Sequence, residues 1–290
     1  MRKIAFILNP LSGKGNKEAV EQFITNHSGW PAGFDASVHT TRCAGDGYEQ
    51  ARQFAAQGLD AVVAVGGDGT INEIARALLH SPTAMGIVPM GSGNGLARHL
   101  RLPMDFKKAV EKITHFRVRS IDAARINGQL FFCTAGIGFD ALIGHLFNSG
   151  GKRGMSTYVS LSTREFLQYK PQEYIITIDG QACTRKAFLI TFANASQWGN
   201  NAYIAPLAHC NDGQLDVVIW KDFPRMAAPF MLPRLFTKTI HKSSFVEMFQ
   251  GKHIVVERPQ EDYVHLDGES LRMGKVLDIQ ILPSALKVLE

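Results

Sequence analysis

No part of the chain stays apolar for the ~18 residues that a helix needs to span a bilayer. Any meeting with a membrane is therefore expected at its surface. Cysteine is scarce: Cys43, Cys133, Cys183 and Cys210 lie far apart, with no C-x-x-C pair. That pattern excludes a disulfide framework and the common zinc modules, and it fits a reducing cytoplasm. The P-loop pattern G-x-x-x-x-G-K-[ST] is missing, and no G-x-G-x-x-G follows the first apolar run, which argues against dinucleotide-dependent hydride transfer. Protein-kinase signatures are missing too. No basic strip interleaved with aromatics occurs, so nucleic acid is not an expected partner. Internal repeats and low-complexity segments are also lacking.

What remains is an ordinary globular composition. The chain has 290 residues, 45% hydrophobic and 20% charged, enough for two cores. A formal charge of +5 favours anionic partners without choosing among nucleotide, nucleic acid and lipid. The stretch from Met1 to Pro10 has an apolar run too short for a signal peptide and no small-residue cleavage site. A first buried strand explains it better.

The first ~125 residues alternate strand and helix signals. Strands are predicted over Lys3–Leu8, Ala36–Thr40, Ala61–Val65 and Ala84–Val88. Helices are predicted over Lys17–His27, from a cap at Asp46 to about Gln57, from near Thr70, over Gly93–Leu100 and over Phe106–Ile113. After Arg119 the texture becomes β-rich. Asn127-Gly128 and Asp179-Gly180 are hairpin signals. Strands are expected over Ile175–Ile178, Ala187–Phe192, Leu215–Trp220, His253–Val256, Tyr263–Leu266 and Val276–Leu282, with one helix over Thr157–Tyr169. The expected domains are 1–120, an α/β nucleotide-binding domain, and 121–290, a mainly antiparallel one. The apolar tail Ala285–Leu289 could return to the first.

Three glycine-rich loops follow predicted strands: Asn9-Pro10-Leu11-Ser12-Gly13-Lys14-Gly15, Gly66-Gly67-Asp68-Gly69-Thr70, and Pro89-Met90-Gly91-Ser92-Gly93-Asn94-Gly95. In an open α/β sheet all three should share the carboxyl edge, where ligands bind. Glycines let backbone N–H groups turn toward an anion, and a helix start adds its dipole. Ser12, Thr70 and Ser92 offer hydroxyls and Lys14 a cation. Asp68 is a poor anion ligand but suits Mg²⁺ carried on phosphates.

At these residues the sequence resembles the diacylglycerol kinase catalytic-domain family, which includes the bacterial soluble lipid kinases. The carriers are the first loop, Gly66 to Glu73, and Gly91-Ser92-Gly93-Asn94-Gly95-Leu96-Ala97-Arg98. Gly136-Ile137-Gly138-Phe139-Asp140-Ala141 and His265-Leu266-Asp267-Gly268-Glu269 match further motifs, in the family's order and over nearly the whole chain. The resemblance implies a three-layer α/β ATP domain of the NAD kinase and phosphofructokinase type, then a β-sandwich, with the active site in the cleft between them. It implies that Asn9, Pro10, Ser12, Gly13, Thr41, Gly66, Gly67, Asp68, Gly69, Thr70, Asn72, Glu73, Gly91, Ser92 and Asn94 line an ATP site. Thr41 rests on its spacing before Gly45-Asp46. GGDG-type loops also occur in NAD kinases. A soluble-substrate kinase of that type is therefore an alternative, and a non-catalytic nucleotide- or lipid-binding regulator is another.

A lipid hydroxyl attacking the γ-phosphoryl group needs alignment, charge neutralisation and a proton acceptor. Asp267 and Glu269 flank Gly268. Within a strand they would point the same way, and Gly268 alternatively allows a close turn. One of them is expected to be the base and the other to hold Mg²⁺ or the water network. Residues 209–214 resemble the family's second-domain metal site, with a carboxylate from Asp212 and carbonyls from His209 and Gln214. Phe223 to Lys242 mixes aromatic, aliphatic and basic residues, and its prolines break it into short amphipathic pieces, which suits an anionic lipid surface. The expected picture is a cytoplasmic ATP- and Mg²⁺-dependent lipid kinase meeting its substrate at a membrane surface. Anionic phospholipid and a second copy, as a homodimer, are further candidate partners.

Overall fold

The structure, a computed structural model, describes residues 1–13, 17–26, 30–31, 33–149 and 155–290. Lys14, Gly15 and the predicted helix end at His27 lie outside the described residues. The chain divides into two compact units, Met1–Asp122 with Pro283–Glu290, and Ala123–Leu282.

The first unit alternates β1 (Arg2–Leu8), α1 (Lys17–Thr25), β2 (Phe34–Thr40), α2 (Asp46–Ala56), β3 (Ala61–Gly66), α3 (Asp68–Ala77), β4 (Ala84–Pro89), α4 (Gly95–His99) and α5 (Phe106–Thr114). Its strands run parallel in the order β2-β1-β3-β4. The chain's last strand adds to β4 in parallel, Val288 opposite Met85. Every residue of β3 and β4 is buried, which explains why they read as continuous apolar runs rather than alternating ones. Ile4, Phe6, Val63, Val65 and Val88 pack with Val20 and Ile24 of α1 and with Val110 and Ile113 of α5. Each such side chain contributes about 1.5–3 kcal/mol by leaving water.

Two helix starts differ from expectation. α3 begins at Asp68, two residues before Thr70. Asp46 is not the cap of α2; Gly45 is, in the left-handed region, and the Asp46 carboxylate accepts the N–H of Arg42 at 2.8 Å. The Asp46 side chain thus reaches back to the loop preceding the cap. Because β1, β3 and β4 are neighbours and parallel, the loops that follow them share one edge.

The second unit takes up the end of β5 (Val118–Ile126), then β6 (Gln129–Phe131), β7 (Thr134–Gly138), α6 (Phe139–Ser149), α7 (Met155–Gln168), β8 (Gln172–Ile178), β9 (Gln181–Ala193), β10 (Leu215–Lys221), α8 (Ala228–Phe236), β11 (Val246–Gly251), β12 (His253–Glu257), β13 (Asp262–Leu266), β14 (Glu269–Met273) and the first half of β15 (Val276–Leu289). Its pairs are antiparallel. β9 serves two neighbourhoods. Its first half pairs with β8, and its second half lies between β7 and β10. A long strand that changes partners in this way turns a sandwich corner. Ile137, Tyr174, Ile176, Phe192, Val217, Ile254 and Val264 fill the core beneath.

Asn127-Gly128, Asp179-Gly180 and Asp267-Gly268 all have positive φ at both residues, as two-residue hairpin turns require. Helix α6 escaped the sequence reading. Its residues Phe139 to Ser149 are mostly apolar with a glycine inside, so they show no polar face to mark a helix.

Candidate functional site

In the first unit the three glycine loops are drawn together. At Gly13, φ is +67°, and a Cβ there would lie 1.8 Å from the backbone oxygen of Met90, so loops one and three touch through bare backbone. Asn9 Nδ2 donates to Thr70 Oγ1 at 3.0 Å, joining loop one to α3. The Ser12 hydroxyl donates to Asn9 O at 3.0 Å. The N–H of Met90 donates to Gly66 O at 2.7 Å, and that of Thr41 to Leu8 O at 2.9 Å, which brings Thr41 to the same edge. Pro10, Gly69 and Ser92 are exposed there, and Thr70 and Asn94 are buried.

Asp68 braces the second loop to the third. Its two carboxylate oxygens accept the N–H groups of Asn94 and Gly95, each at 2.9 Å. Asn94, at φ 50°, closes its own loop by accepting from Gly91 N at 3.0 Å and donating to Gly91 O at 2.8 Å. Burial pushes the Asp68 carboxyl above its ordinary range, against the pull of those N–H groups and of the Arg98 charge. A desolvated carboxylate of this kind gains from a nearby cation. Arg98 donates to Gly93 O at 3.1 Å and, with Pro89, Met90, Gly91, Asn94 and Phe106, lines a cavity of about 310 Å³ beside the third loop. Glu73 faces the other way: its carboxylate accepts the N–H of Gly45 at 2.9 Å, at the start of α2. Asn72 lies in α3.

In the second unit Asp267-Gly268 is a two-residue turn, and Glu269 is the first residue of the strand that follows. Asp267 and Glu269 therefore are not same-face strand neighbours; positive φ at Asp267 and Gly268 takes that stretch out of the extended conformation. The Asp267 carboxylate turns back to accept three backbone N–H groups, from Phe132 and Cys133 at 2.8 Å and from Thr134 at 3.0 Å. Glu269 opens β14 and is exposed. One carboxylate is fixed and the other stands in solvent.

The pair Asp140 and His265 went unread in the sequence. His265 Nε2 lies 3.0 Å from Asp140 Oδ2, both side chains at least nine-tenths buried. Thr191 Oγ1 donates to the same oxygen at 3.4 Å, and Ala141 N to the other at 2.8 Å. A Cβ at Gly136 would sit 2.3 Å from Asp140 Oδ2 and 2.5 Å from His265 Nε2, so only glycine leaves room for the pair. A glycine opposite a histidine on paired strands is a faint signal that a sequence does not expose.

At residues 209–216, Asp212 Oδ1 accepts the N–H of Gln214 at 3.0 Å, and His209 and Asp212 are exposed. Asp216 is buried, and its carboxyl is pushed up to about 6, chiefly by burial and further by the Asp212 charge. Two carboxylates close enough to repel suit a hard cation held by carboxylate and backbone carbonyl oxygens. No group of three His, Cys, Asp or Glu ligands occurs among the described residues.

Three glycine loops gathered at one edge of a parallel sheet suit a nucleotide-using phosphotransferase, and the second unit is an antiparallel sandwich carrying the D-G-E motif. Sequence comparison agrees. Residues 3–126 match the diacylglycerol kinase catalytic domain, and residues 133–290 match the YegS C-terminal NAD kinase beta sandwich-like domain. A diacylglycerol kinase of Bacillus subtilis is 32% identical over 76% of this chain and 74% of its own. A diacylglycerol kinase of Mycobacterium tuberculosis is 28% identical over 99% of this chain and 94% of its own. The crystal structure of a diacylglycerol kinase from Bacillus anthracis has the same fold, with a TM-score of 0.76 at 24% identity over 99% of this chain and 96% of its own. The chain belongs to the diacylglycerol kinase catalytic-domain family, and it is a kinase.

Proposed function

We propose that this kinase transfers the γ-phosphoryl group of ATP to a hydroxyl of diacylglycerol or a related lipid, with Mg²⁺. The observation that carries the nucleotide half is the backbone contact of Gly13 with Met90, which joins the first and third glycine loops at the sheet edge where α3 begins. The N-terminal turn of α3, with Ser12, Thr70 and Ser92, would bind the phosphates. Bound Mg²⁺ would neutralise phosphate charge as transfer proceeds. Asp68 is the carboxylate that would hold it in the first unit. His209 and Gln214 through carbonyls, and Asp212 through its carboxylate, would hold a cation in the second.

The base comes from the Asp267-Gly268-Glu269 turn. Asp267 supplies a fixed anion and Glu269 an exposed acceptor that can reach a hydroxyl proton. The names of the relatives support a lipid acceptor.

The test is incubation of the full chain with labelled ATP, Mg²⁺ and diacylglycerol in mixed micelles, beside NAD without detergent. Labelled lipid is expected, and it should vanish on chelation and in Asp68→Ala. Labelled NAD with no labelled lipid would overturn the reading in favour of a soluble acceptor.

A further inference from the structure

Between Phe223 and Val246 the chain carries Arg225, Arg234, Lys238 and Lys242 and not one Asp or Glu. Within it, α8 buries Met231 and Leu235 in a cluster with Trp220 and Ile240. An ordinary surface helix would be polar on its opposite side. Here that side is apolar as well. Phe230 is 76%, Leu232 54% and Phe236 59% exposed, and Met226, in the 3-10 turn just before the helix, is 87% exposed. Pro229 and Pro233 are exposed among them. Nine large hydrophobic residues are more than half exposed among the described residues, and these four fall within eleven positions. Such clustering marks a binding face rather than scattered surface residues.

The flanking charges select the partner. Lys238 Nζ stands 4.4 Å over the Tyr203 ring, Arg234 sits in the last turn of α8, and Lys242 is exposed. Arg225 is committed inward, donating to the backbone oxygens of Phe166 and Tyr169. A second copy of the same face would bring cation against cation with no acid to answer it. Exposed apolar side chains with cations beside them and no acid in the segment match the acyl boundary of an anionic bilayer.

We propose that Met226, Phe230, Leu232 and Phe236 insert into the interface of an anionic phospholipid bilayer while Arg234, Lys238 and Lys242 contact its headgroups. This extends the lipid-kinase reading by naming the docking surface. Its test reads binding without nucleotide, so failure of one does not decide the other.

The experiment is co-sedimentation of the full chain with vesicles of phosphatidylcholine alone or with 30% phosphatidylglycerol as the probe mixture, at roughly physiological salt. Binding is expected only to the anionic vesicles. Arg234→Gln with Lys238→Gln should weaken it about 30-fold, the equivalent of about 2 kcal/mol at roughly 1 kcal/mol per cation. Phe230→Ser with Phe236→Ser should weaken it by at least as much. Phe230, Phe236 and Lys238 are exposed and Arg234 is half-buried, donating to Thr239 O at 3.5 Å, so unchanged melting is the check that both variants fold. Equal sedimentation of the parent on both vesicle types would overturn the proposal. So would either double variant binding like the parent, or a dimer that dissociates in Phe230→Ser with Phe236→Ser while vesicle binding is retained.

Discussion

Replacing Asp267 by alanine separates what holds the D-G-E turn from what does its chemistry. The side chain accepts three N–H groups from Phe132, Cys133 and Thr134, all of them buried residues. Alanine leaves those donors without this acceptor, at about 1–3 kcal/mol for each one that water does not reach. Alanine also has to adopt a left-handed backbone at φ 50°, which costs roughly 1 kcal/mol more than for aspartate. Allowing for relaxation, the loss should be about 3–5 kcal/mol, a large share of the 5–15 kcal/mol that keeps a typical domain folded. Asp267→Asn keeps one acceptor oxygen and tolerates the turn, so it should lose roughly half as much. Glu269→Gln, at an exposed position, should stay within about 0.5 kcal/mol of the parent while lipid phosphorylation falls at least ~100-fold. Urea unfolding followed by circular dichroism measures the first two, and labelled ATP the third. An Asp267→Ala protein with the parent's unfolding midpoint would refute the reasoning, since it would mean the three N–H bonds hold nothing.

Gly136→Ala should destabilise the second unit by about 1–3 kcal/mol, because its Cβ lands between Asp140 and His265 and must part them; urea unfolding reads this. Gly13→Ala should weaken ATP binding at least tenfold by calorimetry with little change in melting, since its Cβ collides with Met90 at an exposed loop. Asp216→Asn should alter the pH dependence of stability. With the folded carboxyl at about 6 against an ordinary 3.8, the folded state holds the extra proton between those values. Stability from this group therefore falls as pH rises through that window, by up to about 3 kcal/mol. Melting of Asp216→Asn without added metal should be flatter over that range and higher at pH 7; parallel curves for variant and parent would count against it.

The parallel half of the fold was legible because its signals are local. Ala61–Val65 and Ala84–Val88 are apolar throughout, are bounded by turn residues, and lie between helix-period segments. The three loops could be read for the same reason, since a strand, a glycine cluster and a helix start adjoin in sequence. The sandwich half was legible at its D-G and N-G turns and in its longer strands. Short or exposed strands such as β14, with Glu269 and Arg272 outward, carry too few apolar residues to show a period. Asp68 stands in the second glycine loop, as its place in the sequence requires, but its bonds to Asn94 and Gly95 join residues 26 and 27 positions away, and spacing does not encode such contacts. Likewise the turn-back of Asp267 to residues 132–134 depends on β13 lying beside β7.

That last pairing explains why two distant motifs behave as one object. β7 and β13 run antiparallel with Gly136 opposite His265 and Ile137 opposite Val264. The missing side chain at Gly136 admits the imidazole, and Asp140, at the start of α6, meets it. Two residues after His265, the Asp267 carboxylate clasps the backbone just before β7. The D-G-E turn is therefore tied to residues 132–140 at two points, one through the His265–Asp140 side-chain pair and one through the backbone donors of residues 132–134. A turn held at one point could swing about it. Held at two, it is fixed in both place and direction, and Glu269 begins from a set position. The base proposed at Glu269 would need that support, because hairpin tips are otherwise the mobile ends of a sheet.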